Sequence, residues 1–207
     1  VTRRRVAGLV AVALLAGVAV GFSVDSLLDD EPASRSLVAA SPPADASGDA
    51  GFARDMAVHH AQAVEMADII RQRTGDEALL LLTTDIVFTQ QSQIGRLHGW
   101  LEQWGLPYVT PRPPMEWAHT THAGHSDGGM PGMASRGDVS SLRVLPVAEA
   151  EVRFLELMIE HHRGGVAMAE AALATAQRPE VLSFAEKVVA AQQAEIELLV
   201  GMLADRS

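Results

Sequence analysis

FARDMAVHHAQAVEMA (52–67) and FLELMIEHHRGGVAMA (154–169) decide the fold, because they carry one pattern twice. Phe52/Phe154, Met56/Met158, His59/His161, His60/His162, Val64/Val166, Met66/Met168 and Ala67/Ala169 recur in order, each pair 102 residues apart. The same offset relates Gln90, Gln91, Ile94 and Leu97 to Gln192, Gln193, Ile196 and Leu199. The repeat unit is therefore about fifty residues, too long for a solenoid repeat seen only twice and the right size for a duplicated helical hairpin.

On a wheel of 100° per residue, Phe52, Met56, His59, His60, Ala63, Met66 and Ala67 fall within an arc of roughly 120°, the width of a core-facing stripe. Phe154, Met158, His161, His162, Gly165, Met168 and Ala169 do the same in the second copy. Thr74-Gly75-Asp76 stops the first helix, expected over about 51–73, and caps a second over about 77–104. Gly105-Leu106-Pro107 ends that helix. Residues 105–146 hold most of the Pro and Gly and are expected to form a long loop. Pro146 suits the first turn of a third helix to about Ala176, and Gln177-Arg178-Pro179 turns into a fourth reaching about Asp205. Two short-looped hairpins joined by one long crossover predict an all-α, ferritin-like four-helix bundle.

Composition agrees. Of the 207 residues, 48% are hydrophobic but only 4% aromatic, a mix that suits helices packed through Ala, Leu and Val better than a β-sandwich. The net charge of −10 argues against a nucleic-acid partner. With no cysteine, disulfides, thiolate metal sites and a cysteine nucleophile are all excluded. Arg3, Arg4 and Arg5 precede an apolar run, Val6 to Phe22, which reads as an export signal or an uncleaved membrane anchor. Residues 1–28 are assigned to that segment, 29–50 to a Ser/Pro/Ala-rich flexible linker and 51–207 to the bundle. Either form of the leader places the bundle outside the cytoplasm, secreted or held at the membrane by its N-terminal segment.

Each helix brings a polar residue into an apolar seam: His59 and His60, Gln90, His161 and His162, Gln192. The expected result is an internal layer of four imidazoles and two amides. Two accounts fit it. In the first, His and Gln satisfy one another and fix helix register, since an unpaired buried polar group costs about 1–3 kcal/mol. For one core histidine that account is the better one. Here Met-x-x-His occurs twice, Met56 to His59 and Met158 to His161, and residues three apart lie on adjacent turns. A thioether and a neutral imidazole suit soft or borderline metals, above all Cu(I), whereas Mg²⁺ and Ca²⁺ prefer oxygen. The two accounts are then about level. Met66 and Met168 taken alone read as packing.

The crossover holds a second cluster, HTTHAGHSDGGMPGM, with His119, His122, His125, Met130 and Met133, and Met115 just upstream. It reads as a weak copper or silver collecting site, or else as a solvated linker. His98 has no partner at suggestive spacing and is read as structural. The Glu and Glu-x-x-His signature of di-iron bundles is missing, since Glu116-x-x-His119 lies in the loop. No nucleophile-elbow, P-loop or dinucleotide motif appears.

The two His-His-with-Met segments and the Met130-Pro-Gly-Met133 stretch resemble the domain of unknown function 305 family over roughly 51–203. The resemblance implies a secreted or membrane-tethered ferritin-like bundle, with copper handling in some members. Its motif positions are Met56, His59, His60, Met66, Met158, His161, His162, Met168, Met130 and Met133. Gly164-Gly165 departs from the family pattern, in which one Gly followed by Ala is commoner. The leading expectation is an extracytoplasmic copper- or silver-binding protein for buffering or resistance. The alternative is a non-catalytic tethered interaction module with a structural His/Gln core; a copper-dependent oxidoreductase ranks third.

Overall fold

A computed structural model describes residues 41–118 and 129–206, and all that follows concerns them. The leader and most of the linker, together with His119, His122 and His125, lie outside the described residues. The described chain is all-helical: α1 (Gly48–Arg71), α2 (Glu77–Gln103), a 3-10 turn (Glu116–Ala118), α3 (Arg136–Val144), α4 (Val147–Thr175) and α5 (Pro179–Ala204). The four long helices form the expected bundle, with α1–α2 and α4–α5 as hairpins and α1 packed on α4.

Local chemistry sets the boundaries. Ser47 caps α1 by accepting from Ala50 N, so that helix starts a turn earlier than the periodicity suggested. Asp76 caps α2 through Leu79 N at 3.0 Å. At the other end, Gly105 adopts φ 66° and Leu106 N reaches back to Leu101 O, a left-handed stop that favours glycine. Pro179 opens α5, and the amide of its N-cap residue Arg178 donates to the buried Asp49 of α1 at 2.9 Å. Residues 41–47, expected to belong to a free linker, are tied to the bundle by Arg54 on Asp45 O and Arg178 on Ser41 O.

The crossover corrects the sequence expectation most. It is not one long loop. Ser135 and Asp138 cap α3, whose Val139 and Leu142 are buried against the bundle. Trp117 is buried as well, its Nε1 donating to Asp55 Oδ2 at 2.7 Å while its ring meets Phe52 edge-on.

The core has two hydrophobic clusters. One contains Met66, Ile70, Leu79, Ile86, Phe154, Met158 and Leu199; the other Phe52, Met56, Leu97, Leu101, Met168, Phe184 and Val188. Repeat partners fall in opposite clusters: Phe52 and Phe154, Met56 and Met158, Met66 and Met168, Leu97 and Leu199. The duplication thus exchanges the two ends of the bundle.

Candidate metal centre

The histidine pairs lie between their flanking methionines on α1 and α4. His59, His60, His161 and His162 are all 0% exposed, as are Met56, Met66, Met158 and Met168. Gln90 and Gln192 are buried as well, Gln192 against Gly165 of α4. The layer read from the periodicity is therefore an interior one. His59 and His161, repeat partners, face each other with ring centroids 3.8 Å apart and planes tilted by 34°. Within each pair the centroids lie 6.5 Å (His59–His60) and 6.3 Å (His161–His162) apart.

Burial decides the charge of these rings. Removing an imidazolium from water is costly, so desolvation holds His59 down to about 4 and His60 and His161 well below the ordinary histidine value. Repulsion from neighbouring imidazoles adds to the effect, and the Pro131 carbonyl partly offsets it at His59. These three rings are neutral at pH 7 and carry a lone pair.

Hydrogen bonds decide which nitrogen bears it. Nε2–H of His59 donates to Pro131 O at 3.0 Å, and a carbonyl can only accept, so Nδ1 holds the lone pair. His162 Nε2–H donates to Glu195 Oε2 at 2.5 Å, and its Nδ1 has no hydrogen-bond partner among the described residues. A second partner that fixes a ring's tautomer and orientation is the usual support of a metal-binding imidazole. Among the described residues, Nδ1 of all four rings and Nε2 of His60 and His161 have no hydrogen-bond partner. Gln93 lies near His60 and the His59 backbone near His161, and each makes only a weak polar contact with its ring. Nor do the amides satisfy the rings: Gln90 Oε1 and both polar atoms of Gln192 are also unpaired.

The crossover, expected to be a long loop, reaches this layer. The segment around Pro131 lies across α1 and α4. Gln62 clamps it by donating to Ala134 O and accepting from Ala134 N, at 2.9 and 2.7 Å. Gly164 leaves room for the Pro131 carbonyl, where a Cβ would collide with backbone, and Gly165 leaves room for the Gln192 amide. Gly132, at φ 72°, sits against the Glu160 carbonyl. The double glycine of α4 therefore has two separate uses. Met130 and Met115 pack against a core cluster, and Met133 is half-buried. His98 stacks on Tyr108 at 4.4 Å, as a structural residue would.

Sequence reasoning missed Glu195 and Pro131. Glu195 was findable: it follows Gln192 by three residues on α5, and the repeat sets it opposite Gln93. The Pro131 contact spans 72 residues and leaves no periodic trace. Among the described residues, no three His, Asp or Glu side chains converge as a ready-made metal site. No described helix is long and apolar enough to cross a membrane.

Solved structures share this architecture. A Streptomyces coelicolor DUF305 protein, assigned as secreted, is 45% identical with a TM-score of 0.73, covering 79% of this chain and 96% of that one. A DUF305 fragment from Deinococcus radiodurans is 34% identical with a TM-score of 0.64, covering 76% and 96%. CopM in its Cu(I)-bound form is 23% identical with a TM-score of 0.60, again covering 76% and 96%, a likeness of fold. No functionally curated protein matches the sequence. Residues 49–203 match the domain of unknown function 305, and the chain belongs to the DUF305 family.

Proposed function

We propose that this protein binds copper outside the cytoplasm, can also hold silver, and serves to buffer or trap the metal. One observation carries the reading: neutral, fully buried imidazoles whose lone-pair nitrogens have no protein partner among the described residues. Each such atom left unmatched costs about 1–3 kcal/mol, so a mere packing role is expensive. A soft cation accepts those lone pairs. Because no three His or carboxylate groups converge, an ion at the layer takes part of its shell from thioethers, and Met56, Met158, Met66 and Met168 flank the rings. That mixture of nitrogen and sulfur favours Cu(I) or Ag(I) over Zn²⁺, which gains little from Met.

CopM has been captured in Cu(I)-, Cu(II)- and silver-bound forms on the same fold. The His/Met tract of the crossover, from His119 to Met133, serves in this reading as a weaker collecting site. Export rests on Arg3–Arg5 with the apolar run behind them, and on the secreted assignment of the Streptomyces relative.

The bundle from residue 41 onward should bind Cu(I) in preference to Zn²⁺ and melt higher when loaded, since a ligand held only by the folded state must raise Tm. His161→Ala with His162→Ala should sharply reduce uptake. Unchanged uptake in that variant would remove the layer from the metal site. The lack of a ready-made three-ligand group favours a second reading, an architectural His/Gln layer in a tethered interaction module. It requires a Tm indifferent to Cu(I).

A further inference from the structure

The two copies of the layer differ at one ionisable position. The repeat that equates His60 with His162 equates Gln93 with Glu195. Glu195 is hydrogen-bonded to the fully buried His162, and its own side chain is 17% exposed. Among the described residues it is the one carboxylate bonded to a layer imidazole. Gln93 opens instead onto a surface groove between α2 and α5 that is lined by Arg96 and Lys187 and by no carboxylate. A cation therefore meets positive charge beside Gln93 and a carboxylate beside His162.

Resting on the copper reading above, we propose that Glu195 is the specificity-determining residue of the layer. It supplies one negative charge through His162 and compensates one monovalent cation. His59, His60, His161 and the thioethers are neutral, so an ion among them brings its whole charge into a dry interior, where uncompensated charge is expensive. One adjacent carboxylate balances Cu(I) or Ag(I). It leaves a divalent ion with a charge unmatched. Glu195 acts as a positioning residue as well, because its acceptor oxygen turns Nδ1 of His162 toward the interior. Gly165 supports the same asymmetry: it admits the Gln192 amide, whereas the matching position in α1 is Ala63.

The test uses the full chain and titrates Ag(I) and Zn(II) separately into wild type, Glu195→Gln, Gln93→Glu and the double exchange, with helicity checked by circular dichroism. Glu195→Gln should weaken Ag(I) binding about 10- to 100-fold, the usual cost of losing a residue behind a metal ligand. Gln93→Glu alone should raise Zn(II) affinity relative to Ag(I). The double exchange should recover most of the Ag(I) affinity by moving the carboxylate behind His60. Unchanged Ag(I) binding in Glu195→Gln overturns the inference. So does a loss that the exchange does not restore together with an unmoved Zn(II)-to-Ag(I) ratio, since Glu195 would then only hold a ring in place. A wild-type protein that binds no Ag(I) defeats the copper reading itself, whereas wild-type binding with indifferent variants defeats this inference alone.

Discussion

Position for position, α1 and α4 carry the same Phe, Met and His side chains, yet the residues around them have diverged. Where α4 has Gly164, α1 has Gln62, and both hold the same piece of crossover: one by clearance for the Pro131 carbonyl, the other by two hydrogen bonds to Ala134. Gly51 of α1 makes room for Trp117, while its counterpart Arg153 pairs with Asp138 of α3 and with Glu156. A duplicated hairpin can be symmetric only until one crossover joins the copies. Residues facing the bundle axis keep their chemistry, and residues touching the single crossover take one of two roles.

The largest effect should come from acid, and it sharpens the likeness between the copies. The folded values of His59, His60 and His161 lie below the ordinary value near 6.5, so the unfolded chain binds more protons between about pH 6.5 and 4. Stability of the metal-free protein is therefore full above 6.5 and falls as pH drops, by up to about 1.4 kcal/mol per pH unit for each ring. Urea melts at pH 7, 6 and 5 should show this decline. Replacing His60 or His161 should remove similar shares of it. A flat profile would mean that the rings are not buried and neutral.

Next in size are the anchors. Phe52→Ala and Phe154→Ala should each cost about 3–5 kcal/mol, since both rings are fully buried in equivalent stripes. Chemical denaturation that finds one of them nearly silent would break the equivalence.

Smaller effects should separate the diverged positions. Gly164→Ala forces backbone of the crossover to move and should destabilise by about 1–3 kcal/mol. Gln62→Ala should lose about 1–2 kcal/mol with its two hydrogen bonds. Gly165→Ala should be close to neutral: the helix gains about 1 kcal/mol, and the displaced group is the movable end of Gln192. A Gly165→Ala cost as large as that of Gly164→Ala would show that the Gln192 amide is held as rigidly as the crossover backbone.

How much of this was legible in the sequence follows from what carries each contact. The bundle and its inward histidines were readable because the stripe recurs at helical spacing and the duplication repeats the signal. Met66 and Met168 sit inside the hydrophobic clusters together with Met56 and Met158, so packing alone does not separate the four thioethers. The helix α3 was hidden: Gly137, Ser140 and Ser141 weaken its propensity, although Ser135-x-x-Asp138 before Val139 and Leu142 marks a capped amphipathic turn. Glu195 was announced by its helical spacing from Gln192 and by the repeat, whereas the Pro131 contact joins segments 72 residues apart and no periodicity announces it. A backbone carbonyl, moreover, has no residue type to betray it.

The central claim is that the interior layer, and not only the crossover tract, holds the metal. It is tested by replacing His119, His122 and His125 with Ala and Met130 and Met133 with Leu, then measuring Cu(I) retained and the shift in Tm. The account predicts that tightly held Cu(I) remains and still raises Tm. A variant that folds normally, keeps no Cu(I) and melts at one temperature with or without it would contradict the account.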